Sequence, residues 1–457
     1  MHEQWTKYIN PKRERASKRN KERDPRNEFE SDFGRVIFSP AIRRMHDKTQ
    51  VFPLTTDDNI HSRLTHSMEV MAIGHSLGLR VVENDVFLMK TGQQKEFAHR
   101  TIPVILKNAC LVHDIGNPPF GHFGETVISE YFTKLFTSNE LQKLGLNLEL
   151  SELQKEDFMN FDGNAQGFRV LTKLQVLNDP YGLNLTFATL GAYLKYPNSG
   201  EIDKAKLATK KRGAFQSEES VLKSVLKNCD LIRDGKAIRH PLSFLMEAAD
   251  SICYLVMDIE DGFNKNWYSF SEIAQFFQEI PSCQEKLIKL DEDIKKGIGL
   301  EITKMVEFRI FLIAELVQIA LDNFVSNLDQ ITDGNYNHEL IEDDESGLSD
   351  RLREFVDLKI FPKRDIQQLE LTGHSILTGL LDYYLEFIFH SSKHYRKRAK
   401  NMMSGSIVRA SLIENSVENF EELSDYYKLR VIVDFITGMT DQFALQQYQK
   451  LSGQKIS

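Results

Sequence analysis

The sequence predicts a mainly α-helical fold. Apolar residues recur at steps of three and four, the spacing that places them on one face of a helix. Two stretches show the pattern clearly, with Leu64, Met68, Met71 and Leu79 in "LTHSMEVMAIGHSLGLRVV" and Ile102, Ile105, Ala109 and Val112 in "TIPVILKNACLVHD". A third observation supports the same fold class, since one stretch alone carries the signature of a β-hairpin.

Further helices are expected along the rest of the chain, at Ala165 to Leu177, Glu218 to Leu231, Leu242 to Asp261, Ile302 to Leu328, Ile366 to Phe389 and Tyr426 to Leu451. The exception is "LTKLQVLNDPYGLNLT", where a turn sequence lies between alternating apolar flanks and predicts a small β-hairpin. The stretches "KYPNSGEIDKAKLATKKRG" and "DGNYNHELIEDDESGLSD" show neither period, and we expect exposed loops there.

The domain organisation follows from length and from the absence of a clear linker. A chain of 457 residues with 41% hydrophobic content can bury a large core, and length alone would allow roughly three domains. No composition shift separates the helical stretches, however. We therefore expect one continuous body with a charged N-terminal arm at 1–30, a core at 31–270 and a helical extension at 271–457.

The charge balance bears on the class of partner. A net charge of −9 argues against a dedicated polyanion-binding surface, although a local basic patch is compatible with it. The segment from Lys12 to Arg26 mixes basic residues with Glu14, Glu22 and Asp24. This mixture favours a solvated arm or short helix over a nucleic-acid contact.

Cysteine usage and hydropathy indicate the compartment. The four cysteines are scattered without a CxxC pair, which is typical of a reducing environment. The N-terminus has no apolar signal-peptide core. No segment approaches the roughly 18 uninterrupted apolar residues of a membrane helix. We expect a soluble, cytoplasmic protein that has no membrane partner.

The stretch "HDIGNPPFGHFGE" carries the first chemical signal. His113 and Asp114 are adjacent, and adjacent helical residues point about 100° apart. Both can face one ion only where a helix ends, and Pro118 and Pro119 supply that ending. Taken alone, the pair is a weak signal, and a structural capping role explains it better.

Two further residues strengthen the metal interpretation. His66 lies within a helical pattern, and Asp250 lies in the apolar helix "MEAADSICYLVMDIED", where a buried carboxylate needs a partner. Two imidazoles and two carboxylates form a mixed nitrogen and oxygen site suited to Mn²⁺, Fe²⁺, Zn²⁺ or Mg²⁺. Spacing along the sequence does not prove that they converge.

These motifs resemble the HD-domain phosphohydrolases, and among them the bacterial deoxyguanosinetriphosphate triphosphohydrolases. The matching pieces, in order, are "SPAIRRMHDKTQVF", "RLTHSMEV", "HDIGNPPFGHFGE", "GNAQGFRVL", "LNLTFATLGAYLKYP", "GAFQSEES", "HPLSFLMEAADSICYLVMDIEDG" and "DFITGMTDQFAL". The HD signature alone is permissive, but eight pieces in order are highly specific. The resemblance implies an HD-domain helical core with a C-terminal helical extension that completes the pocket and an oligomer interface.

The resemblance also implies the roles of individual residues. It makes His66, His113, Asp114 and Asp250 the ligands of one divalent ion, Mn²⁺ or Mg²⁺ first and Fe²⁺ or Zn²⁺ as alternatives. His122 and Glu125 become the catalytic pair, because a helix beginning near Phe120 places residues three apart on one face. Glu125 would orient His122, which would handle a proton or position the attacking water. An alternative is that Glu125 is only an acid near a helix N-terminus.

Substrate contacts are assigned by the same resemblance. Arg63, Lys195 and Lys211 would hold the triphosphate, although each can also be a solvated surface charge. Tyr254 and Asp258 follow Asp250 by one and two helical turns, so Tyr254 would pack against the sugar or be an ordinary core tyrosine. The remaining contacts implied for sugar and base are Gln50, Val51, Asn164, Gln166 and Arg430, with helix capping as the alternative for Asn164 and Gln166.

The expected reaction is metal-dependent hydrolysis of dGTP, and of other dNTPs, at the α-phosphorus to give a deoxynucleoside and inorganic triphosphate. One rival is an HD-type phosphodiesterase or nuclease, and His61 and His75 near the ligand helix would suit its second metal. The other is a nucleic-acid-binding regulatory protein that retains the fold and uses Lys12 to Arg26 and Lys393 to Lys400. The resemblance further implies a homo-oligomer, a hexamer built from dimers, with single-stranded DNA as a modulator.

Overall fold

Helices dominate the computed structural model, which describes residues 1–17, 23–54, 60–175, 179–295 and 300–455. The mainly α-helical prediction is confirmed. The helices before residue 230 are α1 (His2–Tyr8), α2 (Glu28–Ile37), α3 (Pro40–Arg44), α4 (Arg63–Glu83), α5 (Asp85–Thr91), α6 (Lys95–His99), α7 (Ile102–Val112), α8 (Gly121–Thr137), α9 (Glu140–Lys143), α10 (Glu152–Met159), α11 (Gly163–Arg169), α12 (Phe187–Tyr193) and α13 (Glu219–Asn228).

The C-terminal half continues the helical pattern. Its helices are α14 (Pro241–Asn264), α15 (Phe270–Phe277), α16 (Pro281–Lys295), α17 (Glu301–Ser326), α18 (Leu328–Asp333), α19 (Leu348–Lys359), α20 (Arg364–Ile388), α21 (Lys393–Met402), α22 (Gly405–Glu414), α23 (Asp425–Thr437) and α24 (Asp441–Leu451). No helix in the described part of the chain is both long and apolar enough to cross a membrane.

The small β-hairpin exists, but its predicted position is wrong. The two strands are β1 (Ile232–Arg233) and β2 (Lys236–Ala237), antiparallel and joined by Asp234 and Gly235. Both turn residues have positive φ, 49° and 73°, as a tight hairpin turn requires.

The predicted hairpin stretch folds differently because its apolar residues serve other contacts. Residues Val170–Leu174 extend α11 as a π-helix. Thr186 forms an isolated bridge with Arg13 instead of pairing with the preceding flank. The alternation of apolar residues therefore reflects burial in a helix and under the N-terminal segment. Residues 176–178 lie outside the described part.

The N-terminal arm is only partly buried. Trp5 and Tyr8 of α1 are fully buried. Arg13 is also buried, and its guanidinium pairs with Asp32 and with Glu28. The other charged residues described between Lys12 and Arg26 are exposed or partly exposed, as the solvated interpretation predicted, and residues 18–22 lie outside the described part.

The structure contains two helices, α23 and α24, where the sequence predicted a single helix. The stretch from Tyr426 to Leu451 breaks between α23 and α24, where the Thr440 side chain accepts a hydrogen bond from the Phe443 N–H at 3.2 Å. Threonine is a favoured N-cap residue, so it begins a new helix at this point. Helix α20 packs against α8, α23 and α24, and these helices share a hydrophobic cluster with Phe120 and Phe132.

Close packing of α4 against α7 sets the geometry of the candidate site. A Cβ atom on Gly78 would lie 2.7 Å from the Cα of Pro103, and one on Gly74 would lie 2.3 Å from Cys110 Sγ. Both helices also contact α14. The two glycines therefore allow the helix axes to approach closely enough for side chains from three helices to meet.

We expect Gly78→Ala to destabilise the protein, although alanine is the better helix former. The new methyl group meets backbone atoms that cannot rotate away, and such overpacking costs about 1–3 kcal/mol of unfolding free energy. A thermal melt checks this. Gly405→Ala is the matched control, because a Cβ there has no neighbour within 4 Å. An unchanged or higher melting temperature for Gly78→Ala would refute the close-packing argument.

Candidate functional site

Three of the four predicted metal ligands meet at the junction of α4 and α7. His66 lies in the first turn of α4, and His113 and Asp114 directly follow α7. One ligand atom from each of these residues lies within 4.8 Å of the others. Within the described ranges this is the one group of three or more such side chains that is this close.

Asp250 joins this group from α14. Its Oδ1 lies 3.2 Å from Nε2 of His66 and 3.2 Å from Nε2 of His113. Its Oδ2 accepts a hydrogen bond from Lys195 Nζ at 2.7 Å. Burial opposes ionisation, but Lys195 and His113 outweigh it and hold the pKa of Asp250 well below its usual range. The carboxylate is therefore charged.

The tautomer of His113 suits metal binding. Its Nδ1 lies 2.7 Å from the carbonyl oxygen of Cys110, which can accept a hydrogen bond but not donate one. Nδ1 must therefore carry a proton, and the buried Nε2 has no hydrogen bond of good geometry in the described part of the structure. A backbone bond of this kind orients a metal-binding imidazole.

Asp114 is ionised by its neighbours. Burial raises its pKa, but the charges of Arg63 and His113 more than compensate and hold the pKa below the usual range. Arg63 pairs directly with Asp114 Oδ2, and Asn117 Nδ2 donates to Asp114 Oδ1 at 2.8 Å. With two imidazoles and two ionised carboxylates, the donor set fits a divalent ion of the first transition row or Mg²⁺.

The predicted catalytic pair, His122 and Glu125, is called here the second histidine pair. It lies on α8, one turn past Pro118 and Pro119. His122 Nδ1 lies 3.1 Å from Glu125 Oε2, and the charge of Glu125 raises the pKa of His122. The His122 side chain is 78% exposed, so a substrate can reach it. The prediction of a helix that starts near Phe120 is confirmed, since α8 begins at Gly121.

Glu125 is held on two sides. Its Oε1 accepts a hydrogen bond from the Gly163 N–H at 2.9 Å while Oε2 faces His122. The first turn of α8 contains no acidic residue, because Glu125 lies further along the helix. The alternative role as a helix N-terminal acid therefore finds no support in the geometry.

Asn117 and Gly163 lie between Asp114 and Glu125, and their sequence pattern alone does not mark them as functional residues. A Cβ atom on Gly163 would lie 2.1 Å from Asn117 Oδ1 and 2.3 Å from Glu125 Oε1. Asn117 in turn contacts Asp114. Both residues lie in motifs that were noticed, "GNPP" and "GNAQ", but their mutual contact depends on the packing of α11 against the turn.

The three predicted phosphate-binding cations all have carboxylate partners. Arg63 is buried and pairs with Asp114, and Lys195 is bonded to Asp250. Lys211 lies 2.8 Å from Asp162 and its side chain is 44% exposed. Burial opposes the positive charge of Lys211, but Asp162 and Glu125 raise its pKa.

Lys211 borders a cleft beside the second histidine pair. The cleft has a volume of about 630 Å³ and a strongly charged lining. Its charged residues are Glu125, Glu130, Asp162, Lys204, Lys210, Lys211 and Arg212. Four of these seven side chains are cations, and Lys210, Lys211 and Arg212 among them already pair with carboxylates. The small surplus of cations favours an anionic ligand.

The residues predicted at the sugar lie around the same junction. Val51 is half-buried against the hydrophobic core, and the buried Gln50 Oε1 has no hydrogen-bond partner in the described ranges. Tyr254 is half-buried and interacts with Arg353. Asp258 is buried, and burial together with Asp261 raises its pKa well above the usual range. Their substrate roles stay predictions.

The other predicted contacts are engaged within the protein. Gln166 Nε2 donates to Asp434 at 2.9 Å, and Gln166 Oε1 accepts from Arg430 at 2.8 Å. Arg430 is fully buried and stacks on the Phe215 ring at 3.8 Å. Asn164 donates through its side chain to Asp162, the residue that caps α11. Their contact with a substrate stays a prediction.

Of the two extra histidines near α4, His61 has carboxylate partners. His61 Nδ1 lies 2.8 Å from Asp261 Oδ1, and its Nε2 lies 3.2 Å from Glu69 Oε1. Burial opposes protonation, but these two carboxylates raise the pKa of His61 to about 10. A protonated imidazole is not a metal ligand. His75 lies on the exposed side of α4 and is half-buried.

Comparison with known families agrees with this geometry. The HD domain matches residues 63–161, and the phosphohydrolase-associated domain matches residues 342–450. The HD-domain match contains His66, His113, Asp114, His122 and Glu125, and Asp250 lies outside it. The fold and the site therefore define an HD-domain hydrolase, a class of metal-dependent phosphohydrolases.

The relatives narrow this class. A deoxyguanosinetriphosphate triphosphohydrolase-like protein of Listeria innocua is 36% identical across 98% of this chain and 99% of its own length. A protein of the same name from Synechocystis sp. is 32% identical over 98% and 99%. The deoxyguanosinetriphosphate triphosphohydrolase of an Enterobacter species is 32% identical over 93% of each chain. This chain belongs to the deoxyguanosinetriphosphate triphosphohydrolase family.

We expect Asn117→Ala to weaken metal binding. Loss of its hydrogen bond frees Asp114 to rotate, and removal of such a supporting contact lowers metal affinity by about 10- to 100-fold. Titration with Mn²⁺ followed by electron paramagnetic resonance measures the affinity directly. Asn228→Ala is the control, since among the described residues that side chain bonds only to the Ser224 carbonyl of its own helix. Equal affinities for the two variants would contradict the supporting role of Asn117.

Proposed function

We propose that the protein hydrolyses deoxynucleoside triphosphates, dGTP in preference to the others, to a deoxynucleoside and inorganic triphosphate. The observation that carries the proposal is the convergence of two histidine and carboxylate groups, one from α4, α7 and α14 and one on α8. The names of the relatives point to the same reaction.

His66, His113, Asp114 and Asp250 would hold one divalent ion, with Mn²⁺ or Mg²⁺ as the proposed ion and Fe²⁺ or Zn²⁺ as alternatives. A bound ion would supply Lewis acidity at the α-phosphoryl oxygens and a more acidic water. The four side chains themselves contribute an ionised, preorganised cradle. Lys195 and Arg63 keep the two carboxylates charged before any ion arrives.

The proposed chemistry breaks the bond between the α-phosphorus and the 5′-oxygen. The oxygen of a water molecule attacks the phosphorus and the water gives up a proton to solvent, while the 5′-oxygen leaves and gains a proton to become the hydroxyl of the deoxynucleoside. The three phosphates depart together as triphosphate. His122 is suited to donate the proton that the 5′-oxygen gains, because Glu125 raises its pKa and so favours the protonated imidazole. The Gly163 N–H holds Glu125 in place for this task.

The charged cleft beside Glu125 supports a site for the triphosphate. Lys211 is the most exposed of the three predicted phosphate contacts and lies at its edge, with Lys204, Lys210 and Arg212 nearby. Lys195 and Arg63 would contact phosphate oxygens closer to the metal ligands. In each case phosphate would compete with the carboxylate that now pairs with the cation.

Sugar and base recognition completes the proposal. Tyr254 on α14 would face the deoxyribose, together with Gln50 and Val51 from the segment before α4. Asp258, Asn164, Gln166 and Arg430 would act deeper in the pocket, where they already hold neighbouring groups. Preference for guanine rests on these residues and on the family names alone.

Assembly and regulation are proposed from the family resemblance. We infer a homo-oligomer, a hexamer, in the cytoplasm, with the residue 1–30, 31–270 and 271–457 segments as one continuous body. Helix α21 supports single-stranded DNA as a modulator, because it presents the exposed basic residues Lys393, Lys397 and Arg398. Analysis of the reaction products distinguishes this proposal from the phosphodiesterase and the binding-protein alternatives.

Product analysis tests the reaction. Each dNTP and GTP is incubated with Mg²⁺ or Mn²⁺, and products are separated by ion exchange. We expect triphosphate and deoxyguanosine from dGTP, and no reaction after chelation. Reaction of all four dNTPs at equal rates would remove the dGTP preference but keep the reaction. Failure to form triphosphate from any of them, including with single-stranded DNA added, would favour the rival functions.

The pH dependence of Glu125→Gln tests the proton donor. Removal of the negative charge lowers the pKa of His122, so the imidazole loses its proton at a lower pH. If His122 is the acid, the basic limb of the kcat/KM profile shifts to lower pH in the variant. A shift of the acidic limb instead would make His122 a base. Glu152→Gln is the control and should keep the wild-type profile, because Glu152 is an exposed residue of α10 outside the lining of the charged cleft.

A further inference from the structure

A second cavity lies behind the metal-binding turn, away from the charged cleft. It has a volume of about 790 Å³, within the usual range for small-ligand sites. Ile115 and Gly116, which directly follow Asp114, form part of its wall. Segments of α2, α3, α22 and α23 close the other sides. Of the residues proposed to contact the substrate, Gln166 alone lines this cavity, and its side-chain amide is already bonded to Asp434 and Arg430.

Most of the lining is apolar. It comes from helices that are distant in sequence, and several of these side chains remain partly exposed at the edge of the cavity. The larger apolar residues are Phe38, Val170, Leu174, Met403, Ile407, Phe435, Met439 and Phe443. The Phe38 side chain is 81% exposed, although it lies among these apolar neighbours. Such a surface favours a ligand with a hydrocarbon body.

Three cationic side chains, Arg35, Arg44 and Lys48, also line the cavity. Asp434 is the one carboxylate among the described residues of the lining, and its oxygens already accept hydrogen bonds from Arg169, Arg430 and Gln166. The cavity wall therefore carries more positive than negative charge that is free to act on a ligand.

Arg44 is the least satisfied of the three cations. Its guanidinium has no hydrogen bond and no ion pair with any residue that the structure describes. Burial and the neighbouring Arg43 lower its pKa, as expected for a charge without a partner. A partly buried guanidinium costs free energy until an anion pairs with it.

Lys48 and Arg35 already donate some of their hydrogen bonds to backbone carbonyl oxygens of the protein. Lys48 Nζ donates to the carbonyl oxygens of Asn117 at 2.5 Å and Thr437 at 2.6 Å, which leaves its third N–H without an acceptor in the described ranges. Burial lowers the pKa of Lys48 to about 7. Arg35 donates to the Leu183 carbonyl at 3.0 Å. One free guanidinium and one spare ammonium N–H suffice for a single anionic group, but not for a triphosphate.

We propose that this cavity binds an amphipathic monoanion, a hydrocarbon chain that ends in one carboxylate. Arg44 pairs with the carboxylate in the forked geometry that guanidinium groups form with such anions. Lys48 adds its third N–H, and the chain lies against the apolar wall formed by α22 and α23. The inference rests on the contacts of this cavity and is independent of the reaction at the metal-binding side chains.

Binding of decanoate to the full-length protein tests the inference by isothermal titration calorimetry, after chelation so that no hydrolysis occurs. Decanol, which has the same chain without the charge, is the matched ligand. We expect saturable binding of decanoate and about tenfold or greater weakening with decanol, the loss expected for one charged hydrogen-bonded contact. This comparison needs no variant. Equal binding of the two ligands, or no saturable binding of decanoate, would overturn the proposal.

Variants locate the carboxylate. Arg44→Gln should weaken decanoate binding about tenfold or more. Arg43→Gln is the neighbouring control, since Arg43 is exposed and lies outside the lining. Melting curves show whether each variant folds. Equal weakening by both variants would overturn the assignment of Arg44. Displacement of decanoate by dGTP would assign the cavity to nucleotides and overturn the proposed ligand class.

Discussion

The burial of two ionised carboxylates, Asp114 and Asp250, is the constraint on which the rest of the site depends. A buried carboxylate without partners would bind a proton and lose its charge. Here Arg63 pairs with Asp114, and Lys195 pairs with Asp250. The imidazoles of His66 and His113 both lie 3.2 Å from Asp250 Oδ1. The cluster remains ionised and fixed in position. Such a cluster is ready to exchange some of these contacts for a cation.

The candidate metal ligands are held in place by helices and turns whose backbones approach each other unusually closely. Glycine residues at the contact points allow this approach. Gly74 and Gly78 bring α4 against α7, while Gly116 lies so close to α11 that a Cβ would be 2.0 Å from the Gly167 nitrogen. Gly163 performs the same task between Asn117 and Glu125. Each close contact removes freedom from a side chain that must hold its direction. The rigidity of the site is therefore a property of backbone packing as much as of hydrogen bonds.

The C-terminal extension takes part in the same construction. Lys48 links the carbonyl of Asn117, near the proposed metal ligands His113 and Asp114, to the carbonyl of Thr437 at the end of α23. Asp441 at the start of α24 accepts from the N–H of Phe120, which has a left-handed conformation with φ of 64°. These bonds fix the turn between α7 and α8 from the far end of the chain. The second histidine pair owes its position to them.

The helical class, the local chemistry of "HDIGNPPFGHFGE" and the set of candidate ligands could be predicted from the sequence, because these depend on neighbours within a few residues. The sequence pattern misplaced the β-hairpin, since residues 170–174 and Thr186 find partners in a helix and in the N-terminal segment. Only the tertiary structure decided that His66, His113 and Asp250 meet, that Gln166 pairs with an arginine 264 positions away, and that Arg44 has no partner among the described residues. These outcomes depend on how closely distant helices pack, and spacing along one chain carries no information about that distance.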